Sequence, residues 1–261
     1  MTDNDAILLD VKDRIAWVTV NRPAVRNALS RAVYTGLSKT FRTLASDKSV
    51  RVIVLRGSGD RVFVSGADIG EFQEALASPE AALEYDAHAE QFLSTIKSTP
   101  QPVIAMIQGY AIGSGCIVAT ACDFRISSKA GKFGIPVAKF GFVMPLPDML
   151  RLVELVGPAN AKWLLMSGKL IDADRAYAIG LVNQLTEADA LVAETEAFAR
   201  TLAENSPLSM KATKQIIENH SGISPDVYRG APWYQEIFKS ADFPEGLAAF
   251  HAKRKPEFRG E

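Results

Sequence analysis

Residues 104–123 read IAMIQGYAIGSGCIVATACD. The apolar run from Val103 to Ile107 predicts a buried strand, and the small residues from about Cys116 to Ala121 predict a helix. Three glycines indicate a turn between these two elements: Gly109, Gly113 and Gly115. The first N–H groups of a helix have no partners within it, so such a turn suits an anion, or an oxygen that becomes negative during a reaction. A tight connection whose glycines serve only packing fits the same pattern.

Composition limits the class of protein. The 261 residues allow one large domain, or one domain with an appendage. With 48% hydrophobic and 23% charged residues the chain is typical of a soluble globular protein, and its net charge of −1 argues against a nucleic-acid partner. No apolar run approaches the ~20 residues that cross a bilayer, and the acidic start is unlike a signal peptide, so we expect no membrane partner. The two cysteines, Cys116 and Cys122, are expected to be reduced core residues, and we expect a cytoplasmic protein.

The rest of the chain alternates strand and helix patterns. Ile7–Val11 and Ile15–Val20 predict a hairpin, and the apolar spacing after Ser30 predicts a helix that this serine caps. Further strands are predicted at Val52–Leu55, from Val62, at Phe124–Ile126, at Phe133–Pro136 and at Val182–Leu185. Further helices are predicted at 80–97, from about Asp148, from Pro158, at Asp172–Ala178 and through most of 187–261. This order is typical of the α/β class, although short strands at irregular spacing also suit a coil of β-turn units.

Several segments, in order, resemble the crotonase family, which is also called the enoyl-CoA hydratase/isomerase family. They are NRPAVRNAL (21–29), VSGADI (64–69), PVIAMIQGYAIGSGCIVATACD (102–123), FGIP (133–136), GLVNQL (180–185) and AFHAKRKPEF (249–258). The resemblance covers almost the whole chain. It implies an α/β fold, a crotonase-like spiral of ββα units with a helical C-terminal trimerisation region. We therefore expect a core with an acyl-CoA site in residues 1–200, an oligomerisation region in 201–261, and a homotrimer or a dimer of trimers.

The resemblance also implies a chemistry. Family members bind an acyl-CoA thioester and stabilise an enolate-like oxyanion with two backbone N–H groups, which here belong to Ala67 and Ser114. Each such donor can contribute roughly 3–4 kcal/mol to transition-state stabilisation. The family commonly has glycine where this chain has Ser114, but only the backbone N–H is needed. Gly66, Gly113 and Gly115 are then expected to let the thioester approach the backbone. No metal is expected, and no cofactor beyond the CoA of the substrate.

Binding of the CoA ester is assigned by the same resemblance. Arg26 is expected to meet phosphate groups, although a solvated surface arginine has the same sequence signal. Asp68 is expected mainly to fix the loop that precedes Gly70, where relatives often carry a lysine. The basic tail around Lys253 could replace that lysine, even across a subunit boundary, or could be a solvated chain end. The substrate-binding residues predicted in this way are Arg26, Ala28, Ser65, Gly66, Ala67, Asp68, Ile69, Tyr110, Ile112, Gly113, Ser114, Gly115, Ile117, Val137, Phe250 and Lys253.

The acid–base residues depart from the family. Hydratases of this family use two glutamates, and their positions are occupied here by Ile117 and Val137. Neither side chain can carry a proton, and the loss of a positioned acid or base typically costs ~10²–10⁴ in rate. The usual two-glutamate hydration is therefore doubtful for this chain.

Other residues are candidates for proton transfer. Asp148, which also suits a helix N-cap, and His88, which also suits packing, are the catalytic candidates, and Cys116 is a weaker one. Three readings remain open. The chain is an acyl-CoA hydratase or isomerase with other acid–base residues, an enzyme of decarboxylation or retro-aldol cleavage in which the substrate makes its own enolate, or a protein that binds acyl-CoA without turnover.

Overall fold

The computed structural model describes residues 6–71, 74, 78–141, 143–218 and 232–261. Its strands are Ile7–Lys12 (β1), Ile15–Val20 (β2), Val52–Gly57 (β3), Val62–Val64 (β4), Val103–Ile107 (β5), Tyr110–Ile112 (β6), Phe124–Ser128 (β7), Lys132–Gly134 (β8), Ile171–Asp172 (β9) and Gln184–Thr186 (β10). Its α-helices are Arg31–Ala45 (α1), Pro79–Ser98 (α2), Ser114–Ala121 (α3), Leu146–Ser167 (α4), Ala173–Ala178 (α5), Leu191–Ala203 (α6), Pro207–Glu218 (α7), Pro232–Lys239 (α8) and Asp242–Ala252 (α9). No helix within the described ranges is both long enough and apolar enough to cross a membrane.

The strands are divided between two sheets. The larger has the order β1-β2-β3-β5-β7-β10 and the smaller the order β4-β6-β8-β9. Only the end pairs β1–β2 and β8–β9 are antiparallel. The pairs β3/β4, β5/β6 and β7/β8 each give their first strand to the larger sheet and their second to the smaller one. The chain therefore advances by one strand per turn in both sheets, and the predicted spiral of ββα units is confirmed.

The central strand β5 explains why this part of the sequence is so apolar. All five of its residues are buried. Ala105 packs into the main core, together with α1, α2 and α3, whereas Ile104 packs on the opposite face, with Leu191 and Leu202 of α6. A parallel strand covered on both faces has no polar side, which accounts for its continuous hydrophobic run.

The structure confirms the N-terminal hairpin and the cap of α1, where the Ser30 side chain accepts a hydrogen bond from the Val33 amide. It corrects four details. The predicted glycine turn contains the strand β6, and α3 begins at Ser114 rather than near Cys116. The last strand lies at Gln184–Thr186, and β9 was not predicted. These strands have two or three residues each, too few to establish an alternating pattern.

The helix α4 combines two predicted helices. Gly157 has φ 75° and ψ 161° inside it, so a kink separates its first half from the half that Pro158 begins. The sequence places the first start near Asp148 and makes that residue an N-cap. The helix instead begins at Leu146 after Pro145, so the prediction of Asp148 as the cap is wrong.

The described C-terminal residues form the helices α6 to α9 with short connections, but residues 253–261 are not helical, so the prediction of helix is wrong for this last stretch. Lys214 of α7 joins these helices to the core, since its Nζ lies 2.7 Å from Asp123 Oδ2 and 3.0 Å from the Ile96 carbonyl oxygen. The expected division after residue 200 falls within α6, and the role of residues 201–261 in oligomerisation stays a prediction. Residues 219–231, which the sequence also predicts to be helical, lie outside the described residues.

Candidate active site

Two glycine turns meet at the centre of the molecule. One follows β4 and contains Gly66, and the other follows β6 and contains Gly113. A Cβ added to Gly113 would lie 3.8 Å from the Gly66 Cα, and one added to Gly66 would lie 3.4 Å from the Ile112 carbonyl oxygen. Gly66 has φ +127° and Gly113 has φ +54°, values that L-residues with side chains rarely adopt. The residues that follow, Ala67 and Ser114, are thereby brought to neighbouring positions.

Both of these residues have unused backbone donors. Leu29 bonds to either side of Ala67, because its amide donates to the Gly66 carbonyl oxygen and its carbonyl accepts from the Asp68 amide, both at 2.9 Å. Ser114 is the first residue of α3, where an amide has no acceptor within the helix. Within the described parts of the chain, neither the Ala67 amide nor the Ser114 amide donates a hydrogen bond to the protein. Two adjacent free donors form a site that suits a carbonyl oxygen or an oxyanion.

Gly115 is a glycine for a different reason than the sequence suggested. A Cβ at this position would lie 2.2 Å from the Val64 carbonyl oxygen. The space beside Gly115 is therefore filled by β4 and cannot admit a ligand. Its lack of a side chain lets α3 pack on the strand that leads to Ala67.

A network of polar groups holds the loop after Ala67. Asp68 accepts a hydrogen bond from Arg22 Nη1 at 2.9 Å and, through its other oxygen, from the Gly70 amide at 3.0 Å. Asp68 therefore bonds to both sides of the loop, as its expected role in fixing the loop requires, and its part in binding CoA stays a prediction. Arg22 also donates to the Ala28 carbonyl oxygen at 2.7 Å. Sequence reasoning missed Arg22, although it lies within the NRP motif.

The predicted CoA-binding residues fall into two regions. Arg26 is exposed, and its carbonyl oxygen accepts from the Ser65 amide at 3.2 Å, so the segment at 26–28 adjoins the turn at 65–67. Ile69 is 70% exposed on the same loop. Tyr110 lies at the end of β6 away from Gly113.

The C-terminal candidates lie in the second region. Phe250 is 80% exposed on α9, and Lys253 ends that helix in a left-handed conformation. Their neighbours Arg254 and Lys255 pair with Glu245 and Glu204. In the described part of a single chain, these contacts keep the basic tail with the C-terminal helices and do not bring it to the two turns.

Apolar side chains occupy the two positions that the sequence resemblance assigns to the family glutamates. Ile117 is buried on α3, and Val137 is partly buried at the start of a short 3₁₀ turn, Val137–Phe140. Both pack into the main core. Neither Ile117 nor Val137 has an acid–base group, and the side chains around them are hydrophobic.

Three carboxyl groups on two other helices influence one another. Asp148 of α4 is buried and accepts a hydrogen bond from Arg151 Nη1 at 2.9 Å. Burial raises the pKa of Asp148, and Arg151 offsets part of that rise. Burial and the negative charge of Asp148 also raise the pKa of Asp86 and of Glu90 on α2. Their spacing of four residues puts them on one helix face, but the sequence could not show that this face lies near Asp148.

The other two acid–base candidates are placed differently. His88 Nδ1 lies 3.4 Å from Thr35 Oγ1, in an exposed contact between α2 and α1. Cys116 is fully buried, and burial raises the pKa of its thiol to about 12, so a nucleophilic role for Cys116 is contradicted. Both cysteines are free and buried, as predicted.

Tyr34 is a further residue that sequence reasoning missed. It belongs to α1, is buried, and packs on Phe92 of α2 with ring centroids 6.4 Å apart. Burial raises its pKa far above the usual 10.0, an effect that the Ser114 side chain only partly offsets. The charges of Asp148 and Asp86 act in the same direction as burial. The buried phenol of Tyr34 therefore stays neutral.

Comparison with known proteins identifies the family of this chain. The model of the enoyl-CoA hydratase/isomerase family matches residues 10–261. The chain belongs to this family. A crotonyl-CoA hydratase of Syntrophomonas wolfei is 34% identical over 97% of this chain and 97% of its own length. A 2,3-dehydroadipyl-CoA hydratase of Escherichia coli is 30% identical over 97% of this chain and 98% of its own.

Solved structures of the enoyl-CoA hydratase/isomerase family have the same fold. An enoyl-CoA hydratase/carnithine racemase of Magnetospirillum magneticum superposes with a TM-score of 0.93, at 40% identity over 98% of this chain and 96% of that one. A family member of Hyphomonas neptunium also gives 0.93, at 31% identity over 99% of both chains. The predicted crotonase-like architecture is thereby confirmed over nearly the whole chain, and the family is one of acyl-CoA enzymes.

Proposed function

We propose that this protein is an enzyme that binds an acyl-CoA thioester and stabilises its enolate with the backbone amides of Ala67 and Ser114. The observation that supports this most directly is the contact between the two turns, where two neighbouring amides have no acceptor among the residues that the structure describes. The thioester oxygen becomes more negative as the enolate forms, so donors fixed in advance bind the transition state more tightly than the substrate.

Proton transfer is assigned to residues outside the usual pair. Ile117 and Val137 have no ionisable group, so the two-glutamate hydration is not available. Asp148, with its raised pKa and its partner Arg151, is the best placed substitute, and Asp86 and Glu90 accompany it. His88 is a weaker candidate because its contact is with an exposed threonine.

A second class of reaction is compatible with the apolar side chains of Ile117 and Val137. In decarboxylation or retro-aldol cleavage the bond that breaks leaves its electrons on the α-carbon, so no base has to remove an α-proton. Decarboxylation releases CO2 from a carboxylate, whereas retro-aldol cleavage still needs a base that accepts the proton of the β-hydroxyl group. An isomerase needs a single group that moves a proton between two carbons, which Asp148 could supply. The relatives are named as hydratases, so the reaction of this chain is expected to differ from theirs in its proton-transfer groups.

CoA is expected to bind along the segment from Arg26 to Ala28 and the loop from Ser65 to Ile69, with Arg26 near the phosphate groups. Lys253 and Phe250 are expected to contribute only from another subunit of a trimer or a dimer of trimers, since in one chain they lie with the C-terminal helices.

A substrate panel tests the proposal. The purified protein is assayed with crotonyl-CoA, a 3-enoyl-CoA and a malonyl-type CoA, and binding of each ester is measured by calorimetry. Turnover of the second or third substrate is the expected result. Binding of the esters without turnover of any of them would instead support a protein that only binds acyl-CoA. Fast hydration of crotonyl-CoA would contradict the argument from Ile117 and Val137.

Replacement of Ile117 sharpens the test. Ile117→Glu restores one family carboxylate, and we expect measurable crotonyl-CoA hydration to appear. Ile117→Gln is the matched control, because it has nearly the same shape and cannot carry a proton. Both variants bury a polar group and should lower the melting temperature to a similar degree. Equal hydration rates in the two variants would show that the carboxylate has no role.

A further inference from the structure

The direction of the Ala67 amide is set by Leu29. The Gly66 carbonyl oxygen accepts a hydrogen bond from the Leu29 amide at 2.9 Å. The peptide bond between Gly66 and Ala67 is trans, so its C=O and N–H groups point in opposite directions, and the Ala67 N–H points away from Leu29. The next peptide is held as well, because the Asp68 amide donates to the Leu29 carbonyl oxygen at 2.9 Å. The Ala67 amide therefore keeps its direction only while Leu29 stays in place.

Arg22 joins the two segments beside this bridge between Leu29 and Ala67. Its Nη1 atom donates to the Ala28 carbonyl oxygen at 2.7 Å and to Asp68 Oδ2 at 2.9 Å. Ala28 immediately precedes Leu29, and Asp68 immediately follows Ala67. Hydrogen bonds of a charged group are roughly twice as strong as those between neutral groups. One guanidinium nitrogen thus holds together the direct neighbours of the bridged pair.

The backbone of Arg22 is anchored on the core. Its amide donates to Asn27 Oδ1 at 3.1 Å, and its carbonyl oxygen accepts from the Asn27 amide at 2.9 Å. Asn27 is buried, and its Nδ2 donates to the Ser58 and Val62 carbonyl oxygens, at either end of the connection between β3 and β4. The side chains of Arg22 and Asp68 are 23% and 19% exposed, so water screens the pair only partly. The loop that carries Ala67 is therefore held against a fixed arginine.

We propose that Arg22 is a positioning residue, which aligns the Ala67 amide with the thioester oxygen by holding Ala28 and Asp68 together. The inference rests on the proposed function, since Ala67 supplies one of the two amides assigned to that oxygen. Donors that stabilise an oxyanion must be held within a fraction of an ångström, so a small movement of the loop is enough to reduce the effect. Arg22 acts through its two partners, and the donor to the oxyanion stays the neutral backbone amide.

Arg26 offers a comparison within the same NRP motif region. It is exposed, and it is the residue expected to meet the CoA phosphate groups. Replacement of either arginine by methionine removes one positive charge from this part of the surface. A change that appears with Arg22 and not with Arg26 therefore comes from the bonds to Ala28 and Asp68, and not from the loss of charge.

The test compares two CoA esters. Acetoacetyl-CoA has an acidic C2 and ionises to an enolate, whereas butyryl-CoA does not, so the ratio of their dissociation constants reports on the two amides and not on the CoA site. Calorimetry measures both esters with wild type, Arg22→Met, Asp68→Asn, the double variant and Arg26→Met. Ultraviolet absorbance measures the fraction of bound acetoacetyl-CoA that is enolate. Asp68→Asn keeps an oxygen for the Gly70 amide and removes the charge that pairs with Arg22.

We expect Arg22→Met to weaken acetoacetyl-CoA binding by about tenfold, to lower the enolate fraction, and to change butyryl-CoA binding by less than about twofold. Asp68→Asn should give the same pattern with a smaller loss, because Arg22 still bonds to Ala28. The double variant should lose no more than Arg22→Met alone, since both changes break the same ion pair. Arg26→Met should weaken both esters equally and leave their ratio unchanged.

Other outcomes overturn the inference. Equal weakening of both esters by Arg22→Met would assign Arg22 to the general stability of the chain, and additive losses in the double variant would mean that it does not act through Asp68. The same change of ratio in Arg26→Met would assign the effect to charge. If Arg22→Met does not fold, Asp68→Asn decides, and an unchanged ratio and enolate fraction in that variant would contradict the proposal.

A failure of the proposed function gives a different result, because it already shows in wild type. If wild type binds both esters without preferring acetoacetyl-CoA, the oxyanion site itself is wrong. If it binds neither ester, acyl-CoA is not its ligand.

Discussion

Asp148 shows at the scale of one residue how burial and pairing compete. Its carboxyl lies 2.9 Å from Arg151, yet burial keeps its pKa above the usual 3.8. A carboxyl with a higher pKa in the folded chain favours folding when it is protonated. Its contribution to stability is therefore full below the unfolded pKa and is lost as the pH rises through the folded one.

The same shift predicts a pH profile for the proposed enzyme. If Asp148 acts as the base, the rate rises with pH as it ionises, with a midpoint above 3.8. Asp148→Asn should lower kcat by about 10²–10⁴ and abolish this limb, while CoA-ester binding is kept. Arg151→Met removes the neighbouring cation and should move the limb to higher pH. An unchanged profile in Asp148→Asn would remove Asp148 from the mechanism.

The helix α4 illustrates what a single backbone conformation does for an element. Gly157 turns the chain between the two halves of the helix, and the first half carries Asp148 toward α3. Its φ of 75° with ψ of 161° belongs to a region that is almost restricted to glycine. The kink is therefore encoded by this one residue and by Pro158, which suits the first turn of a helix.

Gly157→Ala should lower the free energy of unfolding by about 1–3 kcal/mol, from backbone strain alone, since a Cβ there meets no atom within 4 Å. Gly246→Ala on α9 is the matched control. There a Cβ would lie 3.5 Å from the Phe258 ring in ordinary contact, and alanine should raise the stability of the helix by about 0.5–1 kcal/mol. Urea unfolding of both variants measures the difference, and changes of the same sign would contradict the explanation.

At the scale of the whole molecule, the C-terminal helices are joined to the spiral by an ion pair between the buried Lys214 and the partly buried Asp123. Lys214 is 2.7 Å from Asp123, and the same carboxylate oxygen accepts from the Val103 amide at the start of β5. Lys214 of α7 is thus connected to the central strand through Asp123 and to α2 through the Ile96 carbonyl oxygen. Loss of either partner would leave a poorly solvated charge behind.

Lys214→Met should therefore lower the free energy of unfolding by about 3–5 kcal/mol. Lys211→Met, which removes an exposed pair with Glu236 on the same helix, should cost less than about 1 kcal/mol. Urea unfolding measures both. A similar small loss in the two variants would mean that Asp123 remains well solvated when Lys214 is absent.

Assembly is the second property at this scale. Sedimentation is expected to give three or six times the mass of one chain. The exposed apolar side chains of α4, among them Leu146, Trp163 and Met166, are the surface that other copies would cover. A monomer that still binds acyl-CoA esters would contradict the expected role of Lys253 and Phe250 from a second subunit.

The sequence by itself determined the local elements and the motifs. The cap of α1, the buried run of β5 and the helix start at Pro158 follow from neighbouring residues, and the motifs around Gly66 and Gly113 identified the family over nearly the whole chain. The absence of ionisable groups at positions 117 and 137 is also a property of the sequence alone.

Only the tertiary structure decided which distant residues meet. Strand β6 is too short to be seen in the sequence and is fixed by β4 and β8, and Gly115 is required because β4 passes within reach of its missing side chain. Asp86 and Glu90 are distant from Asp148 in the chain, yet the charge of Asp148 raises the pKa of both. Periodicity records which side of an element is apolar, but which partner lies against that side depends on how the two sheets and their helices pack.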